Sequence, residues 1–187
     1  MISFWQNQPE MPGHDNQKNV PSNVIARRTS RAYTNTKIEQ ANALNSQNEL
    51  EKAYEIYKDI IGENTGHADA LFGIGIILEK QQKFDLAIQF LSKAIESNPD
   101  KIQALLTRGR ILRLQGMSEN AISDFTEVIA KRQDNFEALI ARGIAFGQTS
   151  QFEKAIDDFS SAIRINSNRA EAFYNRGVVY EKLYEFD

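Results

Sequence analysis

The chain repeats itself every 34 residues, and this period restricts its fold more than any other feature. Units 68–101, 102–135 and 136–169 align without gaps, residues 170–187 form a further half unit, and residues 34–67 align above them more loosely. A unit of this length cannot bury its apolar face alone, so neighbouring units must stack. The period therefore predicts a linear array of stacked units.

Each unit contains two amphipathic segments that are typical of α-helices. Apolar residues recur within them at spacings of three and four, which places them on one helical face. Short polar joints divide the two halves, and Pro99 closes the second unit where a proline stops a helix. We predict an all-α structure with nine helices from about residue 36 onward.

Two places in the unit, counted from its first residue, hold only small side chains. Small residues at facing places let two helices approach closely. The eighth place holds Ala41, Gly75, Gly109, Gly143 and Gly177, and the twentieth holds Ala53, Ala87, Ala121 and Ala155. Large residues flank them at the twenty-fourth place: Tyr57, Leu91, Phe125 and Phe159. The pattern predicts that the two helices of a unit pack against each other.

Charged residues follow a related pattern. Arg108 and Arg142 occupy the seventh place, and Asp124 and Asp158 occupy the twenty-third place of the same units. Where the seventh place is Ile74, the twenty-third is a phenylalanine. This agreement predicts a salt bridge between the two helices of a unit. The alternative is a row of arginines that binds anions.

These columns resemble the tetratricopeptide repeat family over residues 34–187. The second unit matches the family at its eight signature places: Leu71, Ile74, Gly75, Leu78, Ala87, Leu91, Ala94 and Pro99. The first unit departs at Lys37, Ala41 and Thr65. The resemblance implies a right-handed α-solenoid of about four and a half helix-pair repeats, whose concave face is lined mainly by the first helix of each pair.

The resemblance also implies a groove for a protein or peptide partner. Its residues here are Phe72, Ile76, Leu106, Arg110, Arg113, Ile140, Ile144, Tyr174 and Val178. An exposed apolar stripe with charged edges marks a protein-binding surface. The alternative is that some of these side chains pack against neighbouring helices.

One subclass of the family binds the acidic C-terminus of heat-shock chaperones through a carboxylate clamp. The clamp places hold Ile38, Asn42, Gly73, Gln103 and Thr107 in this chain, and only Asn42 fits. We therefore do not expect such a clamp.

Composition excludes several other classes. The chain has 22 basic and 25 acidic residues, which argues against nucleic-acid binding by bulk charge. It has no cysteine and two histidines, so we expect no metal site and no cofactor. No apolar run approaches a membrane span, and no catalytic motif is visible. We expect a non-enzymatic cytoplasmic protein, with a cytoskeletal or ciliary location as an alternative.

Residues 1–33 differ from the repeats. Three of the four prolines lie there, with many Asn and Gln residues and no helical period. Such a segment has too little apolar surface to repay the entropy lost on ordering. We predict a flexible N-terminal arm.

The favoured function is a non-catalytic scaffold that binds a peptide or helix of a partner protein in its groove. One alternative is a packed structural subunit of a large assembly, for example a ciliary or microtubule-associated one. Another is a targeting or regulatory module of a longer enzyme or co-chaperone. Because residues 170–187 lack the second helix of their unit, we also expect either that the repeat continues beyond Asp187 or that the chain self-associates there.

Overall fold

The computed structural model describes residues 22–185, with side chains from residue 30 to residue 184. These residues form nine α-helices and no strand, which confirms the all-α repeat fold. The helices are α1 (Ser22–Ser46), α2 (Leu50–Glu63), α3 (Ala68–Lys80), α4 (Phe84–Ser97), α5 (Ile102–Leu114), α6 (Ser118–Lys131), α7 (Phe136–Gln148), α8 (Phe152–Ile165) and α9 (Ala170–Glu185). By its contacts the chain divides into residues 1–35 and 36–187.

The first helix is longer than predicted. It begins at Ser22, so the prediction that helical structure starts near residue 36 is wrong. No proline or glycine follows Pro21 in this segment, and nothing in it stops a helix. The Thr34 hydroxyl donates to the carbonyl oxygen of Ser30 in the predicted arm, 3.1 Å away, as helical neighbours four residues apart do. Residues 1–21 of the predicted arm lie outside the described residues.

The turns inside the units share one backbone feature. At the fifteenth place Asn48, Gln82, Gly116 and Ser150 have φ angles of 62°, 58°, 79° and 57°. A single left-handed residue ends an α-helix and reverses the chain. Here it lets the second helix return along the first, although glycine, which adopts this conformation most easily, stands in only one of the four turns.

In these helix pairs an aromatic ring or a branched side chain of the second helix packs on a glycine of the first helix. A Cβ atom at Gly109 would lie 2.6 Å from Cε1 of Phe125, and one at Gly143 would lie 2.7 Å from Cε1 of Phe159. Such distances are shorter than real Cβ contacts, so only glycine fits at this separation of the helices. Both phenylalanines are fully buried. The close approach predicted from the small eighth and twentieth places is confirmed, and the side chain that meets the glycine is the large one at the twenty-fourth place.

Two buried ion pairs join the same helices. Arg108 donates from Nε and Nη2 to the two carboxylate oxygens of Asp124, at 2.9 and 2.7 Å. Arg142 holds Asp158 in the same way, at 2.8 and 2.7 Å. Both aspartates are only 5% exposed. The predicted salt bridge is confirmed, and the hydrogen bonds that Arg108 donates to Asp124 raise the pKa of Arg108 above its ordinary value.

Each arginine also reaches the preceding unit. The remaining Nη1 donates to Ser92 Oγ from Arg108, at 2.9 Å, and to Thr126 Oγ1 from Arg142, at 3.1 Å. One guanidinium therefore links three helices, and the seventh place stabilises both the helix pair and the stacking of units.

The glycine contacts give a test with a matched control. Gly143→Ala should destabilise the chain by about 1–3 kcal/mol, because its methyl group would overlap the Phe159 ring. Gly177 stands at the same place of α9, where a Cβ atom would meet no described atom within 4 Å. Gly177→Ala should therefore gain about 0.5–1 kcal/mol from helix propensity. Thermal melting followed by circular dichroism measures both, and a shift of the same sign in the two variants would contradict the packing described.

Candidate functional site

The first helices of successive units contact one another. α3 contacts α5, α5 contacts α7, and α7 contacts α9. Their second, fifth, ninth and twelfth places define a surface that we call the first-helix face. The nine residues predicted to line a groove all lie on these helices. The contact between these helices determines how far each of these side chains is exposed to solvent.

Two members of the predicted apolar stripe are buried rather than exposed. Leu106 is 7% and Ile140 is 4% exposed. Leu106 belongs to an apolar cluster with Ala138 of α7, and Ile140 to one with Ala172 of α9. Leu106 and Ile140, at the fifth place of their units, are thus covered by the first helix that follows. Tyr174 stands at the fifth place of α9 and is 72% exposed.

Four other members of the stripe, Phe72, Ile76, Ile144 and Val178, are half-buried. Above the ring of Phe72 lies the ammonium group of Lys101, 4.9 Å from its centroid, and this lysine pairs with Asp69 at 2.5 Å. The ring is therefore covered on one face by an intramolecular cation.

A cavity of about 450 Å³ opens on the first-helix face between α5, α7 and the start of α9. Four predicted groove residues, Arg110, Arg113, Ile140 and Ile144, line it together with Phe136, Glu137, Ala141, Arg169 and Glu171. Phe72, Ile76, Leu106, Tyr174 and Val178 lie outside it. The structure thus brings together four of the nine predicted residues, with an apolar floor and a charged rim.

The predicted set lacked five lining residues, Phe136, Glu137, Ala141, Arg169 and Glu171, and two of them, Phe136 and Arg169, contact each other. The guanidinium of Arg169 lies 4.7 Å from the centroid of the Phe136 ring and pairs with Glu171 at 3.2 Å. Lys101 occupies the same thirty-fourth place two units earlier and covers Phe72 of its own unit in the same way. A cation at this place with a phenylalanine on the first helix of the same unit is a signal that the sequence contains, although the unit between them ends in Asn135.

On the rim, Arg110 already has two carboxylate partners. Its Nη2 lies 3.2 Å from Glu79 of α3, and its Nη1 lies 3.6 Å from Glu137 of α7. The charge of Arg110 is therefore shared between the preceding and the following first helix. Such partly exposed pairs contribute little stability, but they fix the position of the guanidinium.

Arg113, one turn further along α5, is different. Its Nε–H is buried and finds no acceptor among the described residues. In this part of the chain Arg113 forms no ion pair either. Burial, and secondarily the charge of Arg110, lowers the pKa of Arg113 below its ordinary value. The cavity therefore contains a partly desolvated cation whose hydrogen-bonding capacity is unused.

Two further findings concern the described residues as a whole. In residues 30–184, no group of three or more His, Cys, Asp or Glu side chains is placed to hold a metal ion. No described helix combines the length and the apolar composition that crossing a bilayer requires.

Antiparallel helix pairs, repeated at 34 residues and stacked through their first helices, define an α-solenoid protein. The chain belongs to the tetratricopeptide repeat family. A family model described as "Tetratricopeptide repeat" matches residues 44–109, and one described as "TPR repeat" matches residues 145–183. No curated protein sequence matches the chain.

Solved structures share the fold at low sequence identity. The crystal structure of YrrB, described as a TPR protein with an unusual peptide-binding site, has a TM-score of 0.72 at 23% identity and covers 79% of this chain and 76% of its own. MamA from Desulfovibrio magneticus RS-1 has a TM-score of 0.73 at 17% identity, with coverages of 80% and 84%. The first TPR of Spaghetti (RPAP3), bound to the HSP90 peptide SRMEEVD, has a TM-score of 0.60 at 23% identity, with coverages of 63% and 93%.

Burial at the fifth place has a measurable consequence. Ile140→Asp should unfold or strongly destabilise the array, by about 3–5 kcal/mol, because it replaces a buried apolar side chain of the cluster between α7 and α9 with a charged one. Tyr174→Asp, at the same place of α9, should change stability by less than about 0.5 kcal/mol. Melting temperatures of the two variants distinguish the sites, and an Ile140→Asp variant as stable as the wild type would show that this side chain is accessible.

Proposed function

We propose that this chain is a non-catalytic interaction scaffold that binds a peptide segment of a partner protein on its first-helix face, in the cavity between α5, α7 and α9. The observation that carries the proposal is the lining of that cavity, which combines Phe136 and Ile144 with charged groups at its edge. Apolar anchors surrounded by a few oriented polar groups are what peptide recognition requires.

The related structures support this proposal at the level of fold. YrrB is described as having a peptide-binding site, and the Spaghetti domain is bound to a peptide. Both share the helix-pair array with this chain. The partner of this chain is to be identified by the chemistry of its own cavity, because relatives at this sequence identity share the fold alone. We propose the cytoplasm as the location of this interaction.

Selection of peptides tests the proposal without a known partner. Random dodecapeptides displayed on phage are selected against the immobilised chain, and synthetic versions are measured by fluorescence polarisation. Ile144→Ala should weaken binding about tenfold, because the truncated side chain faces the cavity.

The matched control is Ile156→Ala. This isoleucine is equally half-buried, but it lies on α8 and does not line the cavity. Its truncation should leave binding unchanged. The proposal fails if selection yields no binding peptide, or if both alanine variants weaken binding to the same extent.

A second surface favours the alternative of a subunit packed in an assembly, and we propose that it joins two copies of this chain. The outer side of α9 exposes Phe173, Tyr180 and Tyr184, and the last two rings stack with centroids 6.5 Å apart. Arg176 stands at the seventh place, and in the described residues its hydrogen bond goes to Ser160 rather than to an aspartate. Exposed aromatic side chains in one patch are typical of protein interfaces.

Sedimentation equilibrium tests this second surface. The wild-type chain should show a dimer whose dissociation constant rises at least about tenfold in Tyr184→Ser. Leu114→Ser, which removes an exposed apolar residue from α5, should leave it unchanged. A wild-type chain that is monomeric at all concentrations would overturn the proposal. The third alternative, a module of a longer enzyme or co-chaperone, stays a prediction.

A further inference from the structure

Arg113 is the group in the cavity that the fold leaves unexplained. It is partly buried at the end of α5, where its guanidinium loses hydration and gains no internal hydrogen bond at Nε. An unsatisfied buried donor reduces stability, and native proteins contain few of them. Arg108 and Arg142, at the seventh place of their units, each have a carboxylate partner.

The charges around the cavity point to what Arg113 lacks. Of the three arginines that line it, Arg110 is shared by Glu79 and Glu137, and Arg169 is held by Glu171. Three carboxylates, Glu79, Glu137 and Glu171, thus pair with two of the three arginines. Among the described residues Arg113 is the lining arginine that no carboxylate pairs with.

We propose that Arg113 binds a carboxylate of the partner peptide, next to an apolar side chain that packs on Ile144. This inference rests on the proposed function and names the chemistry of its ligand. Because the Nε of Arg113 is shielded from solvent, the carboxylate is bound by the two Nη groups. These offer two parallel N–H donors, a geometry for which the planar guanidinium is suited. The surroundings are partly dehydrated, so the interaction is stronger than on an open surface.

The site differs from the carboxylate clamp that the sequence excludes. The clamp places hold Ile38, Asn42, Gly73, Gln103 and Thr107, whereas Arg113 stands at the twelfth place of its unit. Ile76 and Phe136 carry no charge and therefore cannot bind a carboxylate in place of Arg113. Recognition is thus assigned to one side chain of this chain and can be tested there.

Two synthetic decapeptide pools provide the probe. Both have randomised apolar residues, an acetylated N-terminus and an amidated C-terminus, and they differ only in a central Asp or Asn. A third pool has the central Asn and a free C-terminal carboxylate, which distinguishes a side-chain carboxylate from a terminal one. Binding to the full chain is measured by competition in fluorescence polarisation.

The Asp pool or the free-carboxylate pool should bind at least about tenfold more tightly than the amidated Asn pool. Arg113→Gln should abolish this preference and leave the weaker, apolar part of the affinity. Arg113→Lys, which keeps the charge but lacks the fork, should retain a part of the preference. Arg132→Gln removes the same charge from the exposed end of α6 and should change nothing.

Stability separates binding from a structural role. Because Arg113 has an unsatisfied donor, Arg113→Gln and Arg113→Met should melt at or above the wild-type temperature. A lower melting temperature in both variants would overturn the assignment and make Arg113 a structural residue. Equal binding of all three pools, or an acid preference that persists in Arg113→Gln, would overturn the inference while the proposed function stands. If no pool binds, both fail.

Discussion

The contact between a ring and a helical glycine determines most of this structure. Phe125 lies on Gly109 and Phe159 lies on Gly143, at a separation that admits no Cβ atom. The two helices of each unit therefore lie as close as their backbones permit, and the buried ion pairs above them can be short and bidentate. With the helix pairs fixed in this way, the first helices of successive units form one continuous face.

Arginine has two different roles on the two sides of the first helices. Arg108 and Arg142 point to the second helices, where Asp124 and Asp158 satisfy them. On the first-helix face, Arg110 forms ion pairs with carboxylates of other units. Arg113 has a buried Nε that finds no hydrogen-bond acceptor among the described residues. Burying a charge without a partner is unfavourable, so Arg113 in this position lowers the stability of the folded chain. In our proposal a ligand carboxylate is the partner that the fold does not supply to Arg113.

Much of the fold could be predicted from the sequence, because the repeats act as internal comparisons. The agreement of the seventh and twenty-third places predicted the Arg142–Asp158 pair, and the small eighth place predicted the close helices. The exposure of the groove could not be predicted in the same way. The position of Ile140 in its unit says which way the side chain points, but its burial depends on how closely α9 follows α7. The same place is open at Tyr174, which no described helix covers. The lack of a carboxylate partner for Arg113 could not be predicted either, because it depends on which neighbouring carboxylates form ion pairs with Arg110.

A crystal structure of the chain with the tightest-binding peptide is the most direct test of whether Arg113 binds a peptide carboxylate. We expect a peptide carboxylate oxygen within about 3 Å of a guanidinium nitrogen of Arg113. It also predicts an apolar peptide side chain in contact with Ile144, and a Phe159 ring that still lies on Gly143. A peptide bound along the second helices, or one whose carboxylate points into solvent away from Arg113, would contradict it.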